Sequence, residues 1–416
     1  MGGGTVELGG AGRPGGRVRA VWLAHAFPRF ETDLPGGFVL RLAAALADRG
    51  VQVEVLAPAA PGVGARERFG AVAVRRYRYA PGRWQTLAYT GAMQAQARGP
   101  AGRLALAGLL AAGALAARRA AAGADLVHAH WWFPGGLQAL ATRRRPLVVT
   151  LHGSDVRLAL DRPGARALCA RVLRAAAAVT AVSSWLAREA AELAPEQAGR
   201  IRVAPMPADD ATFTPGHGPR DELLFVGRLD RQKGLDVALH ALARLRGPAG
   251  TLPLRVVGSG RDEAALRRLA AELGVAARVV WAGTVPQAEL AACYRRAAAL
   301  LVPGRDEGFG LVAVEGQLAA APVVAAASGG LVDIVADGAT GRTFPPGEPA
   351  ALAGVLEQLA ADPHAAARLA EAGRSAAVAR FGTRAAAGAY AEVYAEVLAG
   401  MPGGQDTRGR RTRSPG

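Results

Sequence analysis

Short β-branched or apolar runs alternate with longer Ala/Leu-rich stretches along almost the whole chain. In the first half this pattern predicts strands at Val18–Ala24, Val51–Ala57, Val72–Tyr79, Leu126–Ala129, Leu147–Leu151 and Val179–Val182. Helices intervene, among them Gly37–Asp48 and Arg103–Ala121. In the second half strands are predicted at Leu223–Val226, Leu254–Val257, Arg278–Trp281, Leu300–Val302 and Val323–Ala325. Helices follow at Leu235–Arg246, Glu263–Glu272, Leu311–Leu318 and Ala350–Leu359. Strand–helix alternation of this kind predicts an α/β fold, with parallel sheets covered on both faces. The periodicity lapses over Ala204–Pro219, where prolines and glycines crowd together. The expected organisation is a first domain over 18–203, a linker over 204–219 and a second domain over 220–380. A C-terminal helix over 381–401 follows, with the first domain as the surface to which it would cross back. Residues 1–17 and 402–416 read as flexible tails, the latter basic.

The chain has 416 residues, 51% of them apolar, enough for two domains with their own cores. No uninterrupted apolar run reaches the ~18–20 residues of a bilayer span. The longest, Leu104–Ala117, lies between Arg103 and Arg118-Arg119 and reads as a buried or interfacial helix. The first residues show no apolar signal core, so a cytoplasmic address is expected. Two cysteines, Cys169 and Cys293, are too few for a disulfide framework or a cysteine zinc site. The net charge of +16 is uneven: residues 1–216 carry 27 basic and 14 acidic groups, residues 217–416 carry 23 and 20. The excess therefore belongs to the first half. All but one of the cations are arginine; Lys233 is the single lysine, in a chain that also lacks asparagine.

Lys233 falls in LLFVGRLDRQKGLDVALHAL. There a strand runs into Gly227-Arg228, a loop carries Lys233-Gly234, and a helix starts near Leu235. Glycine at the strand exit lets a ligand approach the backbone. Arg228 offers a planar fork and Lys233 a mobile point charge, suited to two linked phosphates, and the helix N-terminus adds its dipole. A second segment, VPGRDEGFGLVAVEGQLAAAPVVAAASGG, spaces Glu307 and Glu315 about two helical turns apart. Between them Gly308-Phe309-Gly310 exposes peptide N–H groups at a helix mouth, and carboxylates are strong acceptors for vicinal hydroxyls. Taken singly, each of these features is also what a solvated loop or an exposed helix residue would show.

In series they resemble the retaining, nucleotide-sugar-dependent glycosyltransferases of family 4. Gly227-Arg228-Leu229, Lys233-Gly234, Glu307, Glu315 and Gly329-Gly330 occur in that order and spacing. The first half adds Gly36-Gly37, VHAHWWFPGG, TLHGSDV and AVSSW. The resemblance implies the GT-B fold, two Rossmann-like doubly wound domains facing across a cleft. It implies that Arg228 and Lys233 hold the donor pyrophosphate and stabilise it as leaving group. It places Glu307 and the Gly308–Leu311 backbone (Phe309, Gly310 and Leu311 included) at the donor sugar, and Glu315 at the nucleotide ribose. Gly227 would line the donor site beside Arg228, Gly36 and Gly37 would approach the donor from the other domain, and His152 would lie near the transferred sugar. Retention would follow front-face departure and attack, with no protein nucleophile, no required cofactor and no metal. The acceptor would be a glycan, a lipid-linked group or a small molecule. The chain departs from the family at Gly316, Met206-Pro207 and Pro303-Gly304, none of which removes a charge.

Other signals have plainer readings. His128 and His130 share a strand face, but no third ligand follows at metal spacing. The adjacent Ser, His and Asp of His152–Asp155 are no hydrolase triad, which geometry builds. Trp131-Trp132 could line an acceptor pocket or pack between strand and helix. The Arg143–Arg145 run and the Arg75–Arg83 cluster lack the context of nucleic-acid recognition, so nucleic acid is not an expected partner. They read as a solvated edge or as contact with an anionic membrane at the inner face of the plasma membrane. A phosphorylase with pyridoxal phosphate would need a Schiff-base lysine, and Lys233 suits phosphate contact instead. A non-catalytic nucleotide-sugar or polyanion-binding module would be expected to have lost Arg228, Lys233, Glu307 or His152.

Overall fold

The structure is a computed structural model that describes residues 17–401, apart from 32, 34, 90–92, 143 and 144. The chain divides into two compact units. The first comprises residues up to Ala181, Ala187–Ala204 and the chain from Ala386; the second comprises Val182–Leu186 and Pro205–Ala385.

The first unit contains β1 (Arg19–Leu23), β2 (Gln52–Pro58), β3 (Arg66–Phe69), β4 (Val72–Tyr77), β5 (Leu126–His130), β6 (Leu147–Leu151), β7 (Ala178–Ala181) and β8 (Ile201–Val203). They form one sheet in the order β3-β4-β2-β1-β5-β6-β7-β8, parallel throughout except for β3 on β4. Every residue of β5 and β6 is buried, as a parallel strand covered on both faces requires, and this is why LVVTL reads as an unbroken apolar run. The second unit contains β9 (Glu222–Val226), β10 (Leu254–Val257), β11 (Val279–Gly283), β12 (Ala297–Val302), β13 (Val323–Ala326) and β14 (Arg342–Phe344). Its all-parallel order is β11-β10-β9-β12-β13-β14. Counted within each unit, the parallel strands run 3-2-1-4-5-6, the doubly wound order, with an added seventh strand in the first. The strand order therefore reverses between β1 and β5, and again between β9 and β12, which is where open α/β sheets take their ligands.

Three strands escape the apolar pattern. β3 is the charged RERF, β8 has partly and fully exposed residues, and β14 is a three-residue RTF. The expected linker is not free: Phe213 is buried against Tyr294, with ring centroids 5.4 Å apart, and Arg295 donates to Thr214 O at 2.9 Å. Those contacts group Pro205 onward with the second unit. The helix Thr383–Ala399 carries Tyr390 and Tyr394, both fully buried, and its residues from Ala386 belong to the first unit.

The apolar Leu104–Ala117 stretch lies in a longer helix, Pro100–Ala121. Among the described residues this one helix is long and apolar enough to cross a membrane. It buries Ala105, Leu109, Gly113, Ala117 and Ala121, a stripe at four-residue spacing, and leaves Leu104 and Leu115 exposed.

The arginine cluster that begins in β4 is only in part a solvated edge: Arg78 and Arg83 are exposed, and Arg75 and Arg76 are paired. Arg75 pairs with Glu54. Arg76 is buried, 2.7 Å from Glu67, 2.8 Å from the Tyr89 hydroxyl and 2.5 Å from Pro28 O. The antiparallel β3, which the pattern does not predict, supplies Glu67. The Arg143-Arg144 part of the other run lies outside the described residues.

Candidate active site

In the second unit, the loops after β9 and β12 meet at the reversal of strand order. Arg305 N donates to Gln232 O at 3.0 Å, which ties the two loops backbone to backbone. Gly234 has φ +70°, and a Cβ there would lie 2.6 Å from Pro303 O, so glycine alone permits the approach. The result is that Lys233 Nζ sits 2.6 Å from Glu307 Oε1. Both side chains are largely buried, 24% and 10% exposed, so the pair is desolvated enough for its charges to matter. Arg228, on the same loop, is 65% exposed and reaches Asp230 at 3.2 Å. Gly234 also serves as N-cap of the helix Leu235–Leu242, where no side chain caps the first turn.

Glu307 is held by its backbone from the far side. Gly330 N donates to Glu307 O at 2.7 Å, and a Cβ on Gly329 would lie 2.5 Å from that oxygen. The Gly329-Gly330 turn therefore fixes the Glu307 backbone by close packing. Gly308 O accepts from Ser183 Oγ at 2.6 Å, and Phe309 packs edge-on to Phe381. Gly310 caps the helix Leu311–Leu318, and Glu315 on that helix accepts from the buried Tyr294 hydroxyl at 2.9 Å. Burial and the neighbouring carboxylate push the Tyr294 hydroxyl well up, so it stays a donor. Gly316, a departure from the family pattern, faces the Leu300 side chain with no room for a methyl group.

In the first unit the carboxyl ends of β1, β5 and β6 gather His25, His130 and His152. His130 ends β5 and is fully buried; His152 follows β6 and is partly exposed. Their Nδ1 and Nε2 atoms are 3.2 Å apart. Trp131 lies 4.3 Å from the His152 ring and 4.5 Å from that of His25, centroid to centroid. Phe38, in the helix Gly37–Ala47 that Gly36 caps, lies 5.4 Å from His152. Gly36 has φ +77° and packs so tightly on Ala26 O that a side chain is excluded. Burial, reinforced by the other rings, lowers His130 and His152 well below the ordinary imidazole value, so both are neutral. Asp155 is buried and anchors the turn, taking His152 N at 3.1 Å, Gly153 N at 2.9 Å and Trp132 N at 3.2 Å. His128 is spoken for on both nitrogens, by Tyr394 at 2.8 Å and Thr150 at 2.6 Å. Among the described residues no group of three or more His, Cys, Asp or Glu is arranged to hold a metal ion.

Known proteins with this arrangement of sheets and motifs are numerous. Residues 36–212 match the family described as Glycosyltransferase Family 4, and residues 213–376 match Glycosyl transferases group 1. The D-inositol 3-phosphate glycosyltransferase of Frankia alni is 37% identical over 306 residues, 66% of this chain and 74% of that one.

This chain belongs to the family 4 glycosyltransferases.

The corresponding enzyme of Acidothermus cellulolyticus is 36% identical over 265 residues, and the aligned part spans only 59% of its length. Among solved structures, a sucrose-phosphate synthase from Thermosynechococcus elongatus superimposes with a TM-score of 0.77 at 24% identity, over 92% of this chain and 100% of that one. The Anabaena protein HepE, in complex with UDP and glucose, gives 0.67 at 20% identity, over 91% and 100%. These likenesses show the GT-B fold.

Of the residues singled out in the sequence, the glycosyltransferase brings Gly227, Lys233, Gly234, Glu307 and Gly308 to one loop pair. Gly310 caps the adjoining helix that carries Leu311 and Glu315, and Arg228 is exposed on the β9 loop. Gly36, Gly37 and His152 lie together in the first unit. Sequence reasoning missed Tyr294, Asp155 and the contact of His130 with His152. Asp155 carried a signal, standing three residues after His152 where a side chain can cap a turn. Tyr294 carried none, since its partner is 21 residues away.

Proposed function

We propose that this glycosyltransferase transfers a sugar, with retention, from a nucleotide-diphosphate-sugar to a hydroxyl-bearing acceptor. The observation that carries the reading is the Lys233–Glu307 pair at the point of strand reversal. One ammonium and one carboxylate held 2.6 Å apart give a site that is cationic on the phosphate side and hydrogen-bond-accepting on the sugar side. Lys233, the exposed Arg228 and the N-terminus of Leu235–Leu242 offer positive charge to a departing pyrophosphate. Glu307 accepts from sugar hydroxyls, and Glu315, oriented by Tyr294, accepts from the ribose. The cations take the leaving-group charge, so the reading requires no metal and no cofactor. His152 supplies a neutral imidazole near the transferred sugar.

The acceptor is a glycan, a lipid-linked group or a small molecule. The curated relatives named above are called D-inositol 3-phosphate glycosyltransferases, so a polyol phosphate is the first acceptor to try. A thermal-shift panel of UDP, GDP, ADP and their sugars selects the donor, and turnover is then followed with and without inositol phosphate. Lys233→Ala or Arg228→Ala is expected to lower turnover at saturating donor by roughly 10²–10³-fold. Unchanged turnover in both would refute the assignment to the leaving group.

A peripheral membrane contact, at a cytoplasmic leaflet, is favoured by the outward face of Pro100–Ala121. Leu104 and Leu115, 66% and 48% exposed, lie three turns apart on one stripe that ends at exposed Arg118 and Arg119, with Arg103 at its start. Sedimentation with anionic vesicles at low and high salt tests it, and equal partition to neutral vesicles would sink it.

A further inference from the structure

The pair His130–His152 is more than a packing contact, because hydrogen-bond accounting gives it a direction. Both rings are neutral, so each carries one N–H, and only one proton lies between His130 Nδ1 and His152 Nε2. The deciding atom is His130 Nε2, which is buried without a hydrogen-bond partner. If His152 donated, the His130 proton would sit on that atom, leaving an orphaned N–H in the interior. If His130 donates from Nδ1, its Nε2 is a bare lone pair. Orphaned buried donors are the rarer and costlier kind. The ring of His152 is then fixed with its own proton on Nδ1, the nitrogen that does not face His130. Its backbone is tied by Asp155, and its ring is flanked by Trp131 and Phe38. His128 cannot play this part, since Tyr394 and Thr150 occupy its nitrogens.

We propose that His130 is a positioning residue of the transfer reaction: by donating from Nδ1 to His152 Nε2, it makes His152 an Nδ1–H donor toward an oxygen of the donor sugar. The proposal rests on the reading of His152 as a residue near that sugar. Asparagine places its amide N–H close to where a histidine carries Nδ1, so His130→Asn keeps the donor, while His130→Leu removes it.

The test has two arms. Long-range ¹⁵N–¹H correlation spectra of protein labelled at its seven histidines report each tautomer without any ligand. His152 is expected as the Nδ1–H form in the native protein and in His130→Asn, and as the other tautomer or a mixture in His130→Leu. An Nε2–H form of His152 in the native protein overturns the proposal. In the second arm, turnover of UDP-glucose, GDP-mannose or ADP-glucose, whichever the native enzyme accepts, is measured for each variant, with near-UV dichroism checking the fold. His130→Leu is expected to lower kcat roughly 10–100-fold with little change in KM. His130→Asn restores most of the loss, and His130→Leu combined with His152→Ala is no slower than His152→Ala alone. Additive losses, or equal losses for His130→Asn and His130→Leu, overturn the proposal. Full turnover in His152→Ala refutes the underlying placement of His152 instead, and the spectra still report the tautomer on their own.

Discussion

At the scale of single residues, the site is organised around one ion pair and what its partners can reach. Glu307 is 7% exposed, and among the described residues Lys233 is the cation paired with it. Lys233→Ala therefore leaves a buried carboxylate without its counter-charge, at a cost of about 1–3 kcal/mol in stability on top of its effect on turnover. Urea unfolding of the variant reads that cost, and an unchanged midpoint would mean the pair contributes nothing to folding. Lys233→Arg is a sharper probe in a chain whose every other cation is arginine. The lysine stem packs 3.7 Å from where a Cβ on Gly227 would stand, and a planar guanidinium does not reproduce a compact ammonium. Stability is expected to recover more fully than turnover. On the other side, Glu307→Ala should weaken use of the sugar nucleotide more than binding of the free nucleoside diphosphate. Calorimetric titration with both ligands checks this, and equal losses would place Glu307 at the phosphates instead.

At the scale of elements, the approach of the β9 loop to the β12 loop depends on a backbone conformation. Gly234→Ala puts a Cβ into the left-handed region and 2.6 Å from Pro303 O, so the loops must part. A loss of about 2 kcal/mol in stability and a weaker nucleotide Kd are expected together. Loss of stability with unchanged affinity would separate the turn from the site. What the sequence revealed here follows from what each contact needs. Buried parallel strands are mostly apolar, so β5, β6, β9 and β10 could be read from their short Leu/Val-rich runs in spite of His128, Thr150, Glu222 and Arg255. The Gly-Arg…Lys-Gly and Glu…Glu spacings were legible because neighbouring loops are built from short local segments. The edge strand β3 was not, since it is held by Glu67 meeting the buried Arg76 of β4, side chains that look solvated in the sequence. Nor was the partnership of Tyr294 with Glu315, or of Tyr394 with His128, where the contact spans 266 residues. That last contact makes the C-terminal helix part of the first unit's interior. Tyr394→Phe removes the hydroxyl from a buried imidazole nitrogen and should cost about 1–3 kcal/mol, read as a lowered melting temperature.

At the scale of the whole molecule, the two units share a strand order but differ in what their interiors hold. The histidines driven neutral by burial, His25, His128, His130 and His152, all lie in the first unit. His25 is lowered to about 4 and His128 to about 3, both chiefly by desolvation. In the unfolded chain these rings protonate near pH 6.5, while in the folded protein they do not. Below pH 6.5 the unfolded state therefore binds more protons, and stability falls as pH falls. The loss continues down to about pH 4 for His25 and about pH 3 for His128. Asp33, held down by Arg29, adds its own loss only below the ordinary carboxylate value, and Asp155, raised by burial, acts with the opposite sign. Between pH 6.5 and 5 the histidines thus lower stability, each with a slope of about 1 kcal/mol per pH unit, and replacing one of them separates its share from that of Asp155. Urea midpoints measured at pH 7, 6 and 5 should fall together with pH in the native protein. In His128→Gln the protein starts less stable at pH 7, because the ring's bonds to Tyr394 and Thr150 are altered, yet its stability should decline less steeply by about that one-histidine increment. A variant whose decline parallels the native one would show that His128 already binds a proton in the folded state, and that the interior of the first unit is not held neutral.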